Sequence, residues 1–179
     1  MRSRDFQEEA IKLETHSSNE LHNSKGNNDT LNPFPSSPII TESEIDINEV
    51  INSIKDIEGH SGATVIFIGS VRNIGLNGKV QRMFYESYAK MAENKIKNIE
   101  KIAMEKYGIN EIRIVHRIGE LALGNNSIII ALSTPHSRDA FRACKYILAK
   151  IKQEVPIWKK EILSKGNGKW VDGKSIKTN

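Results

Sequence analysis

Residues 133–161 read STPHSRDAFRACKYILAKIKQEVPIWKKE, and the rest of the chain is organised around this stretch. Ser133, Thr134 and Pro135 lead into His136 and Ser137, a pattern of small hydroxyl residues and proline that starts a helix. At 100° per residue, Ala140, Cys144, Ile147, Leu148, Ile151 and Val155 fall in one apolar stripe. Arg138, Arg142, Lys145 and Lys152 fall on the opposite face, where the spacing places no acidic residue. Pro156 ends the helix, because it lacks an N–H and disfavours helical geometry one residue earlier. Trp158, Lys159, Lys160 and Glu161 follow directly. A basic stripe opposite a core stripe is ordinarily a solvated surface. Here it continues past the helix end, and His136 stands at a helix N-terminus, where backbone N–H groups favour an anion. The stretch therefore reads as a site for a negatively charged ligand.

Charge elsewhere supports that reading. Of the 179 residues, the first fifty carry four Lys or Arg against ten Asp or Glu, net −6; the remainder carries twenty-two against twelve, net +10. A basic body implies an anionic partner: nucleic acid, a phosphate-bearing metabolite or an acidic protein surface. Aromatic residues make up only 6% of the chain, and no exposed aromatic platform for stacking bases is expected, which disfavours a nucleic-acid-binding module. The single cysteine, Cys144, lies on the apolar stripe and reads as a small buried hydrophobe. With no intrachain disulfide, no membrane-spanning apolar run and no apolar signal core, the expected location is the cytoplasm. His16 and His22 lack the companion ligands a metal site needs.

Along the chain, residues 1–37 are rich in Asn, Ser and charge, and are predicted to be a disordered acidic extension. Pro38–Thr41 reads as an edge strand. Asp46 and Glu49 have capping-box spacing ahead of a helix through Ile47, Val50, Ile51 and Ile54, expected to end at Gly59. Ala63–Val71 is apolar at nearly every position and is predicted to be a strand buried on both faces. A loop over Arg72–Lys79, turning at Asn77-Gly78, leads into a strand over Val80–Ser87 that pairs back antiparallel. Tyr88–Tyr107 is an amphipathic helix with Ala92, Ile96, Ile99 and Ala103 inward, closed by Gly108. Strands over Ile112–Arg117 and Ser127–Thr134 are joined by a turn at Gly124–Asn126. After the organising helix come a glycine-rich turn and a short strand at Trp170-Val171. Residues 173–179 are expected to fray. The class is α+β: one domain over 38–172 with mostly antiparallel strands and two long helices.

Four segments, in order, resemble the catalytic subunit family of molybdopterin synthase. Ala63–Asn73 is similar to that family's strand ending in G-x-V-R-N; Val115–Leu121 to its H-R-I-G-x-L; His136 through P-x-W-K-K-E at Pro156–Glu161 to its pocket histidine, helix and exit; Gly168–Val171 to its G-x-x-W-V. The resemblance covers about residues 60–172. It implies an α/β-hammerhead-type single domain and sulfur transfer in molybdenum-cofactor biosynthesis. The sulfur donor is implied to be a thiocarboxylated ubiquitin-like small subunit, and the acceptor cyclic pyranopterin monophosphate. The implied assembly is a homodimer of this chain within a heterotetramer, with no cofactor, metal, nucleic acid or membrane involved.

Carried over residue by residue, the resemblance marks Lys152 and Lys159 as catalytic. It marks Phe67, Ser70, Val71, Arg72, His136, Ser137, Arg138, Lys159, Lys160 and Glu161 as substrate-binding, although Phe67 by itself reads as core. Clustering of the lysines with Arg72, Lys145 and Lys160 is expected to depress a lysine pKa by like-charge repulsion. His116 reads as a core or interface histidine. Two positions depart from the family pattern: Ser70 stands where relatives carry a lysine, and Ser137 where an arginine follows the histidine. These departures keep open a non-catalytic relative that retains only the docking surface.

Overall fold

The computed structural model describes residues 38–164 and 168–171. The expectations for 1–37 and 173–179, and the middle of the glycine-rich turn, lie outside the described residues. The described chain is α+β, built on two sheets. The first is four-stranded: β1 (Ile40–Thr41), β5 (Glu111–Arg117), β7 (Asn126–Thr134) and β2 (Ala63–Ser70), in that spatial order. β1 runs parallel to β5, and the other pairs are antiparallel. The second contains β3 (Ile74–Gly75), β4 (Gly78–Ser87), β8 (Ile157–Leu163) and β9 (Gly168–Val171), with β6 (Gly119–Ala122) also on β4.

Two long helices, α2 (Ala89–Tyr107) and α3 (Ser137–Glu154), cover one face of the first sheet. Their apolar stripes are those read from the sequence: Ala92, Ile96, Ile99 and Ala103 on α2, and Ala140, Cys144, Ile147 and Ile151 on α3, all buried. They meet Ile114 of β5 and Ile128, Ile130 and Leu132 of β7. A short helix, α1 (Ile47–Ser53), closes the other face with Val50 over Val115, Ile129 and Ala131. Asp46 caps it, its carboxylate accepting from the backbone N–H groups of Asn48 and Glu49. β7 is therefore the strand buried on both faces. Each fully buried isoleucine there contributes about 1.5–3 kcal/mol.

Several expectations change. β2 is an edge strand among the described residues and its burial alternates, with Thr64, Ile66 and Ile68 facing out, because no described element lies beyond it or over its outer face. Continuous apolarity did not mean two-sided burial. α1 ends at Ser53, six residues before Gly59, which sits instead at φ 77° in a turn tied to the Asp56 carboxylate. β4 does not pair back on β2; it joins β8, β6 and the short β3, so Arg72–Lys79 is a structured hairpin turning at Leu76-Asn77. Besides β3, two strands were missed. β6 follows Gly119, whose φ of 83° turns the chain from the first sheet into the second. β8 follows Pro156, where charged residues on the strand mask its alternation.

Candidate active site

The chain crosses between the two sheets repeatedly, and a cavity of about 450 Å³ lies where they meet, at the C-terminal end of α3. Its cations come from three separate elements. Arg72 follows β2, Lys152 stands in the last turn of α3, and Lys159 projects from β8. Phe67, Ser70 and Val71 bring the end of β2 to the same wall. Phe67 packs on the core as well as lining the cavity. Val71 spends both backbone groups on the turn before β7, donating to Asn125 and accepting from Gly124, which anchors the base of Arg72. Ser70 donates to the Asn126 side chain at 3.0 Å, closing the same junction.

Lys159 is the lysine whose chemistry is altered. Burial lowers its pKa below the ordinary 10.5; Glu161 opposes the shift, while Lys152 and Arg72 reinforce it. The expected depression is present here, but desolvation outranks like-charge repulsion as its cause. If the protonated form is the active one, kcat/KM falls as pH rises through this lowered pKa. The expected result is an alkaline limb below pH 10.5 that Lys159→Arg removes from the accessible range, since a guanidinium stays charged. A pH profile with the same limb in both proteins removes Lys159 as its origin.

Glu161 has a different place from the one its motif implied. It is 3% exposed, and its carboxylate accepts from the Leu76 and Asn77 backbone N–H groups and from the Asn77 side-chain amide. It holds the β3–β4 hairpin against β8 while facing Lys159. A side chain at Gly75 would collide with this carboxylate and push it off the hairpin.

The other sequence candidates do not enter this cavity. Successive residues of a strand point to opposite faces, so Lys160 leaves the site and lies 5.7 Å from the Trp170 ring centre on the far side of β8. His136, Ser137 and Arg138 are exposed at the N-terminal end of α3. Sixteen residues of helix separate His136 from Lys152, roughly 24 Å at about 1.5 Å per residue. Only the end of the basic stripe reaches the cavity; Lys145 and Arg142 do not line it. That face also carries an acid: Asp139 lies 3.5 Å from Arg138 and 3.6 Å from Arg142, so the face is not purely cationic at its start.

Three polar side chains of the cavity escaped the sequence reading. Tyr85 of β4, His116 of β5 and Ser127 of β7 form the polar floor. Val115–Leu121 was singled out as a motif, but which way His116 faces depends on strand register and was not legible. The expectation of no exposed aromatic platform is also overturned. Tyr88, Trp158 and Trp170 are exposed and line one cleft with Glu86, Tyr88 and Trp158 stacking edge-on at 5.4 Å. Alternation along β8 puts Trp158 on the face opposite Lys159.

Among the described residues no helix is long and apolar enough to cross a membrane. A family model described as MoaE protein matches residues 40–154. The chain is 41% identical over 131 residues to the molybdopterin synthase catalytic subunit of Thermoplasma volcanium, covering 73% of this chain and 94% of that one. It is 40% identical over 113 residues to that of Pyrococcus abyssi, covering 63% and 76%. Its fold is similar to the crystal structure of molybdopterin synthase from Staphylococcus aureus, with a TM-score of 0.67 at 38% identity over 74% of this chain and 94% of that one. The molybdopterin biosynthesis MoaE protein of Burkholderia ambifaria matches with a TM-score of 0.63 at 30% identity, over 76% and 89%.

Proposed function

The chain belongs to the MoaE protein family of molybdopterin synthase catalytic subunits, sulfur-transferring enzymes of molybdenum-cofactor biosynthesis, and from that premise we propose how its cavity works. The acceptor is cyclic pyranopterin monophosphate, and the donor is the C-terminal thiocarboxylate of a separate ubiquitin-like small subunit. Both are anions. Arg72, Lys152 and Lys159, converging from three elements on one cavity, supply the charge-assisted hydrogen bonds that hold both in reach of one another. This convergence is the observation that carries the reading. Lys152 orients the sulfur-bearing carbonyl and moves a proton as sulfur leaves. Lys159 binds the pterin and stabilises negative charge as it develops. Two rounds deliver the two sulfurs of the dithiolene.

A defined assay of this chain, a thiocarboxylated small subunit and cyclic pyranopterin monophosphate tests the reading. Dithiolene product is expected; none with a competent small subunit would sink it. Within that assay, Arg72→Ala is expected to raise the substrate KM at least tenfold and leave small-subunit affinity nearly unchanged, since Arg72 binds the phosphate. An unaltered KM removes Arg72 from the phosphate site. The alternative of a non-catalytic relative is disfavoured by both lysines lining one cavity.

His136, Ser137 and Arg138 lie too far along α3 to act in the cavity of their own chain. We assign them to a second copy's cavity, in a homodimer at the centre of a heterotetramer. Light scattering on the purified chain checks this; a strict monomer at micromolar concentration counts against it. The single, buried Cys144 accords with a reducing compartment, and we place the enzyme in the cytoplasm.

A further inference from the structure

The cavity has two chemically different sides. One wall carries the cations already described. The floor carries no charge at neutral pH, and two of its donors, the Ser127 hydroxyl and the His116 Nδ1–H, are spent on backbone carbonyls. Ser127 donates its hydroxyl to the Gly69 carbonyl at 3.0 Å. Burial holds the Tyr85 phenol above its usual pKa, so it stays protonated. His116 is 7% exposed and lines the cavity. Its Nδ1 lies 2.9 Å from the Arg117 carbonyl oxygen. A carbonyl only accepts, so Nδ1 bears the proton and Nε2 bears the lone pair. Tyr85 packs edge-on against the ring at 5.3 Å and holds its orientation. Nε2 has no hydrogen-bond partner among the described residues.

Nε2 opens on the cavity as an unspent acceptor, available to a ligand that brings a donor. We propose that His116 is a substrate-contacting residue whose Nε2 accepts a hydrogen bond from a ring N–H of the pterin, so that the floor reads the donor-bearing heterocycle while the cationic wall reads the phosphate. This rests on the reading of the cavity as the pterin site. The floor offers the Nε2 lone pair of His116 as an acceptor, beside the Tyr85 hydroxyl, which both donates and accepts. The Nε2 acceptor suits a neutral, planar group that carries an N–H, which a pterin offers and a phosphate does not. The apolar side chains of Phe67, Ile128 and Leu148 line the same cavity and suit a flat ring. Burial lowers the His116 pKa to about 4, so the acceptor is preserved throughout the neutral range. A protonated imidazole would present a donor instead and reverse the selection.

Two measurements decide the assignment. Nitrogen-15 NMR of histidine-labelled wild-type protein, titrated with cyclic pyranopterin monophosphate, is expected to move the non-protonated Nε2 resonance of His116 upfield and leave Nδ1 in place. Steady-state kinetics with the thiocarboxylated small subunit are expected to show His116→Phe raising the pterin KM about tenfold, the worth of about one hydrogen bond. The kcat should stay within a few-fold, the KM for the small subunit should be unchanged, and His116→Gln should recover most of the loss. An Nε2 resonance unmoved at saturating pterin overturns the inference, and does so even if His116→Phe fails to fold. So does an unchanged pterin KM in folded His116→Phe. Wild-type protein that binds neither pterin nor small subunit defeats the parent reading instead.

Discussion

Lys152→Ala lowers single-turnover sulfur transfer by at least ~100-fold, the low end for a positioned acid–base group. Lys152 sits in the last turn of α3, exposed, with its side chain on the cavity. The apolar neighbours that fix it, Ile147 and Ile151, are locked in the core, so the ammonium is presented by a rigid element rather than a loop. Truncation removes no core contact. It costs only the favourable placement of a cation near a helix C-terminus, so stability should change by no more than about 0.5 kcal/mol. A fall in rate with an unchanged urea midpoint is therefore a statement about chemistry. Lys152→Arg should not rescue, because a guanidinium keeps its proton and its planar fork sits differently. Near-wild-type rates in Lys152→Ala would remove it from the mechanism. Full rescue by arginine would reduce it to a fixed charge.

Glu161→Ala should damage stability and chemistry together. The side chain accepts three hydrogen bonds from the β3–β4 turn, and losing a charged acceptor costs about 1.5–3 kcal/mol for a well-made bond. Leu76 and Asn77 are exposed, so water recovers part of that, and a net loss of about 2 kcal/mol is expected in urea unfolding. The second effect is electrostatic. Glu161 raises the pKa of Lys159 against burial and two neighbouring cations. Removing the carboxylate lowers that pKa further. The protonated fraction of Lys159 then falls at any given pH, and the alkaline limb of activity moves to lower pH. Glu161→Gln should show the same direction with a smaller stability loss, because one acceptor oxygen remains. An unchanged urea midpoint together with an unmoved limb would show that Glu161 neither holds the hairpin nor sets Lys159.

The parts of the site that were legible in the sequence are those whose position follows from one element. Arg72 ends an apolar strand at a recognisable G-x-V-R-N, and Lys152 has a definite angle on a strongly periodic helix. Lys159 was found for its resemblance, but its neighbour Lys160 was grouped with it because the segment after Pro156 was not recognised as a strand. Once Ile157–Leu163 is a strand, two adjacent lysines must part company, one to the cavity and one to the aromatic face. Glu161 kept its place in the motif and changed its role, since only the fold shows that its carboxylate is occupied by a hairpin 84 residues away in sequence.

The sequence by itself determined the α+β class, the inward faces of α2 and α3, the cap at Asp46 and the family, and it singled out two lysines, Lys152 and Lys159, that the fold brings to one cavity. These depend on local periodicity, on single-residue conformational limits and on short motifs, all of which act within a few residues. The tertiary structure decided which strand is buried on both faces, which sheet β4 joins, how far His136 stands from Lys152, and that His116, Tyr85 and Ser127 share a floor. Those facts depend on pairing register between strands far apart in the chain. A shift of one residue in any pairing would turn each side chain to the opposite face, and nothing local to that residue records which register wins.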